Sequence, residues 1–144
     1  MAPMPVGENT YVVTSVVSPE AKLPMLDAAT DTGKFVAAIL AEPERYHGQV
    51  VAAATKLYSM EEIAKIMSVT SGKTITYKQM PVSEIKNFMP PVIGDRVVDM
   101  MLYIQDFGYY GPKTEELMAG TPAVARGKLT TMEDFFEKHG VALR

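Results

Sequence analysis

The sequence predicts an α/β fold, a sheet with crossover helices followed by a helical C-terminal part, and three observations carry that prediction. A β-branched run at residues 11–17 is followed by an amphipathic helical stripe and then by a continuous small apolar run, the order strand, helix, strand. A second helix signal, opening at Ser59, leads into an alternating segment at residues 74–80. Beyond Ser83 every strong periodic signal is helical.

Residues 1–9 hold two Pro and a Gly-Glu-Asn turn and read as an entry arm. Residues 11–17, Tyr-Val-Val-Thr-Ser-Val-Val, form the first strand because β-branched side chains fit a pleated surface, and Ser18-Pro19 breaks it. After Leu23-Pro-Met-Leu26, either Thr30 or Asp31 can accept the free amide hydrogens of a helix start. Phe35, Val36, Ile39 and Leu40 make a single apolar stripe that Pro43 ends. Residues 49–55, Gln-Val-Val-Ala-Ala-Ala-Thr, show no alternation, the pattern of a strand covered on both faces. A right-handed crossover then joins the two strands. Ser59 and Glu62 have capping-box spacing, Ile63, Ile66 and Met67 supply the stripe behind them, and Gly72 is the stop.

Residues 74–80, Thr-Ile-Thr-Tyr-Lys-Gln-Met, alternate up to Pro81 and predict a strand with one wet face. Ser83 caps a short helix through Met89, which the Pro90-Pro91 pair interrupts by removing amide hydrogens and restricting the preceding residue. A longer helix spans residues 92–107, with Val97, Val98, Met101, Leu102 and Ile104 on its apolar side and Asp95, Arg96, Asp99 and Asp106 on its polar side. Gly108 closes it. Residues 109–128 carry three Gly and two Pro and read as a loop-rich excursion with a brief helical stretch at residues 113–118. Thr130 or Thr131 caps a last helix, residues 132–138, ended by Gly140.

A chain of 144 residues is the size of one ordinary domain and buries about two-thirds of its unfolded surface, so residues 1–144 are expected to form a single domain. Hydrophobic residues make up 47% and charged residues 22%, which excludes wholesale disorder. The longest apolar run, residues 35–41, is far short of the roughly 20 residues that cross a bilayer, and the amino terminus lacks a basic region before an apolar core. No membrane association and a cytoplasmic location are expected. The absence of cysteine excludes disulfides, thiolate nucleophiles and cysteine metal sites, and two histidines leave no cluster for a metal. A net charge of −3 without a basic cluster argues against nucleic-acid binding.

The order of segments Leu-Pro-Met-Leu-Asp-Ala-Ala-Thr-Asp-Thr-Gly-Lys-Phe-Val, Gly-Gln-Val-Val, Tyr-Ser-Met-Glu-Glu-Ile-Ala, Gly-Lys-Thr-Ile-Thr-Tyr and Leu-Thr-Thr-Met-Glu-Asp-Phe-Phe resembles the NmrA-like family of atypical short-chain dehydrogenases/reductases. The likeness runs from Tyr11 to Gly140 and is tightest between Leu23 and Pro81. It implies a partial Rossmann-like sheet and the C-terminal, substrate- or partner-facing part of such a protein. In that family an N-terminal glycine-rich turn holds the pyrophosphate of NAD(P) at a helix start. That half is absent here: the ten glycines are scattered, and Gly108 and Gly111 follow a helix instead of opening one. The Tyr-x-x-x-Lys pair of the wider superfamily is also missing, since Tyr77 and Lys78 are adjacent and point to opposite faces of a strand. No cofactor is expected.

Several residues invite a functional reading. Asp27 and Asp31 could share a proton or a metal, but their place at a strand-to-helix turn favours helix capping. His47 and His139 each precede a Gly at a helix end, where an imidazole meets unsatisfied carbonyls. Tyr103, Phe107, Tyr109 and Tyr110 gather near a helix end and are the candidate ligand- or partner-facing residues. The 11 methionines suit an adaptable surface, though any single one suits the core better.

The expectation is therefore a non-catalytic or regulatory protein-binding module, encoded separately or as a piece of a longer chain, and homodimeric through an exposed sheet edge. A protein partner is the other way to cover that surface. Two alternatives stand: a fragment of a full-length NAD(P)-binding oxidoreductase or regulator, and a small cofactor-independent isomerase or cyclase acting on an apolar metabolite. In the latter Asp27, His47 or Asp106 would donate or accept the proton.

Overall fold

The computed structural model describes residues 2–143. Its first sheet is built on β2 (Thr10–Ser15), which pairs antiparallel with β1 (Met4–Gly7) and parallel with β5 (Thr74–Gln79), in the order β1-β2-β5. A second, two-stranded ribbon joins β3 (Lys22–Met25) antiparallel to β4 (Lys56–Ser59). The expected entry arm is thus half of a hairpin, turned at Asn9 with φ 55°, a left-handed conformation that Asn tolerates. The first strand stops two residues earlier than its β-branched run. Val16 and Val17 are buried beyond its end and their carbonyls accept from the Gln79 amide at 2.9 Å and the Tyr77 hydroxyl at 2.6 Å.

The expected strand at residues 49–55 is not one. Ala52 and Ala54 are buried, but against Met118, Leu117, Tyr110 and Leu57, and only the last residue, Thr55, bonds to a strand, its amide donating to the Met25 carbonyl at 2.7 Å. A short apolar run looks alike whether a sheet or a helix covers it, and here a helix does. The parallel neighbour of β2 is consequently β5, reached through the β3–β4 ribbon and three helices.

Helix α1 (Ala28–Ala41) starts at Asp27, whose carboxylate accepts from the amides of Ala29 and Thr30, each at 3.2 Å. Neither Thr30 nor Asp31 is the cap, contrary to the sequence reading. The one-turn α2 (Pro43–Tyr46) follows, and α3 (Met60–Ser71) opens on the expected capping box, Ser59 with Glu62, and closes on Gly72 in the left-handed conformation. Met60, Ile63, Ala64, Ile66 and Met67 bury its face in the main core with Val13, Tyr58 and Ile75. Alternation along β5 puts Ile75 and Tyr77 inward and leaves Thr74, Thr76 and Lys78 exposed.

Pro81, not Ser83, precedes α4 (Val82–Lys86), which ends short of Met89. Helix α5 (Pro91–Phe107) ends at Gly108 as expected, and a side chain there would meet the Thr114 hydroxyl at 2.5 Å and the Gly111 carbonyl at 2.7 Å. The supposed loop beyond contains a 3-10 turn (Gly111–Lys113) and a full helix, α6 (Thr114–Val124). The helix exists because its Met118 finds Ala52 and Ala54 to cover. Last, α7 (Met132–His139) is capped by Thr131 with Asp134.

Asp31 ties the ends of this fold together. It is fully buried, and its carboxylate accepts from the Thr130 amide at 2.7 Å, the Thr130 hydroxyl at 3.2 Å and the Lys34 ammonium at 2.6 Å. Thr130 in turn accepts at its carbonyl from the Thr55 hydroxyl at 2.9 Å, and the next turn donates the Met132 amide to the Tyr58 hydroxyl at 3.1 Å. Removing the carboxylate leaves the buried Thr130 amide without its acceptor and the Lys34 ammonium with the Lys128 carbonyl but no counter-charge. Asp31→Ala is therefore expected to lower the unfolding free energy by about 3 kcal/mol in urea titration, whereas Lys128→Ala, which breaks only an exposed ion pair with Asp134, leaves the midpoint unchanged.

Candidate functional site

The corner between α4 and α5 makes the larger concavity. Ile85 on α4, Phe88 and Met89 at the proline corner, and Val97, Val98 and Met101 on α5 face the end of β2 and Met4 across an open groove of about 470 Å³. That volume lies within the range of small-molecule sites. Its polar atoms come from Thr14, Ser15 and main chain, and among the described residues no carboxylate, imidazole or amine lines it. Such a groove can hold apolar surface by burial and dispersion, but it offers no group to move a proton near neutrality.

A smaller groove of about 180 Å³ lies between the start of α1 and α7, against Tyr58, Phe135 and Phe136. Asp27, Thr55, Tyr58, Thr130 and Thr131 are its polar residues, and each is engaged within the chain: the Thr55 hydroxyl donates to the Thr130 carbonyl, the Thr130 hydroxyl to Asp31, and the Thr131 hydroxyl accepts from the Asp134 amide. The Tyr58 hydroxyl accepts from the Met132 amide, while burial pushes its ionisation upward. Asp27 holds the amides at the start of α1, and hydrogen bonding from Thr30 keeps its carboxyl below the ordinary aspartate value, with His139 adding a small attraction.

The candidate residues are dispersed. Tyr103 and Phe107 stack with ring centroids 5.0 Å apart on the outer face of α5, both largely exposed. Tyr109 and Tyr110 meet edge to face at 4.9 Å; Tyr109 is exposed, while Tyr110 packs on the small cluster of Ala52, Ala54 and Met118. None of the four lines either groove. His47 is exposed at the end of α2, and Asp106 is exposed on α5, accepting from the Gln105 amide at 3.3 Å. Asp27 is near neither; its titratable neighbour is His139, which stacks on Phe135 at 4.8 Å. No group of three or more His, Asp or Glu able to hold a metal occurs among the described residues.

Sequence reading missed the groove residues Phe88 and Met89. The available signal was the double proline: a corner that stops one helix and starts another leaves the side chains just before it without an element to cover them. It also missed the role of Asp31, because its partner Thr130 is 99 residues away.

Comparison with known proteins bears on this geometry. The model of the NmrA-like family matches residues 2–136. No curated protein matches the sequence. Among solved structures, a mutant form of NmrA superimposes with a TM-score of 0.72 at 20% identity, covering 90% of this chain and 43% of that one. NmrA in complex with NAD, described as a negative transcriptional regulator, gives 0.67 at 21% identity over 90% and 43%. The Citrobacter sp. triphenylmethane reductase complexed with NADP(H) gives 0.61 at 16% identity over 90% and 44%. The chain therefore spans less than half the length of the structures it matches, and at these identities the likeness establishes the fold.

The depressed Asp27 carboxyl gives a pH test. A carboxyl with a lowered folded-state value stabilises the fold above about pH 3.8, and that stabilisation disappears as the pH falls through the lower folded value. In thermal unfolding, Asp27→Ala is expected to melt below the parent at pH 6, and the gap is expected to close below pH 3.8.

Proposed function

Because the chain belongs to the NmrA-like family, we propose that it acts as the family's substrate- or partner-facing module, non-catalytic and without a dinucleotide site of its own. The observation that supports this reading is the chemistry of three capped helix starts; the β5-to-α4 turn has no side-chain cap, but it opens a helix of only five residues with Glu84 in its first turn. A pyrophosphate needs free amides at a strand-to-helix turn. The β3-to-α1 turn gives its amides to the Asp27 carboxylate. At the β4-to-α3 turn Ser59 and Glu62 cap each other, with Glu61 alongside. Helix α7 repeats the arrangement with Thr131 and Asp134, beside Glu133. A diphosphate at any of these ends would have to displace a side chain and sit against carboxylates.

The larger groove supports the binding half of the proposal, since it is apolar, open and lined by adaptable methionines. The reading as a cofactor-independent isomerase gains nothing from it, because Asp27, His47 and Asp106 all lie outside that groove.

Self-association through a sheet edge completes the proposal, with β5 as the edge. Pro5 in β1 and Pro24 in β3 cannot donate to an added strand. On β5, Thr74 and Met80 donate toward β2, and the outward Ile75 amide is taken by the Ser68 hydroxyl at 3.2 Å, leaving Tyr77 and Gln79 to pair. So short an edge makes a weak dimer.

Two measurements test these statements. Calorimetric titration with NADPH is expected to give no saturable heat at micromolar concentrations, and a micromolar Kd would overturn the absence of a dinucleotide site. Light scattering is expected to read 15.8 kDa in dilute solution and to rise toward twice that mass with concentration; a constant single-chain mass removes self-association.

A further inference from the structure

Helix α5 is apolar on two sides. Val98 and Ile104 are buried in the main core, and Val97 and Met101 turn toward the larger groove. A second set, Ile93, Met100, Tyr103 and Phe107, recurs at intervals of seven, three and four residues on the outer face, with each member more than half exposed. Arg96 falls in the same row, where its hydrocarbon stem extends the apolar stripe. Phe88, 66% exposed at the proline corner, continues the surface into the groove. Groove and stripe thus form one apolar face along a helix about 25 Å long.

Its other border is acidic. Helical spacing places Asp95, Asp99 and Asp106 in a row beside Met100 and Tyr103 on the side away from the groove. Asp95 is paired with Lys86 at 2.7 Å, while Asp99 and Asp106 carry no salt bridge among the described residues.

We propose that the α5 face is a docking surface for an amphipathic helix of another protein whose apolar row is bordered by Lys or Arg. The inference rests on the partner-facing reading above and names the chemistry of the partner. Three features point to it. An apolar strip of helical length with a neighbouring groove is the shape that receives a helix, with anchors one turn apart. The methionines Met89, Met100 and Met101 conform to different side chains. The one-sided row of carboxylates selects basic residues along one edge of the incoming helix and fixes its direction. A second copy fits poorly here: packed across a two-fold axis with α5 antiparallel, it would bring Asp99 beside the partner copy's acidic row.

The test uses the 144-residue chain and two fluorescent peptides of about 18 residues with the same leucine row, one bordered by Lys and the other by Glu. In anisotropy titrations the Lys peptide is expected to bind in the micromolar range, at least about tenfold tighter than the Glu peptide, with the difference shrinking at high salt. The double variant Asp99→Asn, Asp106→Asn removes the preference. Met100→Ser with Tyr103→Ser weakens both peptides while the chain stays folded by circular dichroism; its melting temperature falls only slightly, because both side chains are about half exposed and only the Tyr103–Phe107 ring contact is lost. Failure of the Lys peptide to bind, or equal binding of the two, overturns the inference, as does a dimer abolished by the Met100 and Tyr103 substitutions. NADPH binding would instead defeat the reading on which the inference rests, so the two failures are separable.

Discussion

A fully buried carboxylate with a single cationic neighbour has to be answered by hydrogen bonds, and in this chain the answer comes from the far end of the sequence. Asp31 takes the amide and hydroxyl of Thr130 and the ammonium of Lys34. Because Thr130 also binds Thr55, and Met132 binds Tyr58, one short segment fastens α1, the run before β4, and β4 itself to the start of α7. Apolar packing holds the same parts, with Met132 and Phe136 of α7 against the main core and Ala52 and Ala54 against Met118. The polar contacts join these packed pieces to one another and satisfy the buried Asp31 carboxylate.

The same economy shapes the surface. The helix starts that follow β3 and β4 have their amides occupied by the chain's own side chains, with acidic residues in the first turn. Those caps stabilise the helices and at the same time make their ends poor hosts for anions. The largest surface for recognition is apolar, the α4–α5 groove continued by the outer row of α5, while the concavity between α3 and α7 has a charged lining of Glu62, Lys65, Glu133 and Glu137. Chemistry near neutrality would need a titratable group in the α4–α5 groove, and its lining provides none, which is why the functional proposal concerns binding.

Much of this was legible in advance, for identifiable reasons. The Ser59–Glu62 capping box, the Gly72 and Gly108 stops, the alternation of β5 and the Thr131 cap are local devices whose physics lies within a few residues, and each appears where expected. Errors arose where the partner was distant. Ala52 and Ala54 read as a strand because a covered apolar run carries no record of what covers it, and α6 read as loop because its stripe is weak until Met118 meets those alanines. The aromatic residues were located correctly in the chain, but their separation from both grooves was not readable, since Tyr110 turns inward while Tyr103, Phe107 and Tyr109 stay outside.

The sequence by itself determined the Ser59 and Thr131 helix starts, the Gly72 and Gly108 stops, the wet and dry faces of β5, the likeness to the NmrA-like family and the absence of a glycine-rich phosphate turn, all of which depend on neighbours in the chain. Only the tertiary structure decided that β2 lies beside β5, that Asp31 is an anchor and not a cap, and that the groove sits at the α4–α5 corner. Those outcomes depend on contacts between residues some 60 to 100 positions apart, where packing and hydrogen-bond satisfaction choose among arrangements that local propensity leaves equal.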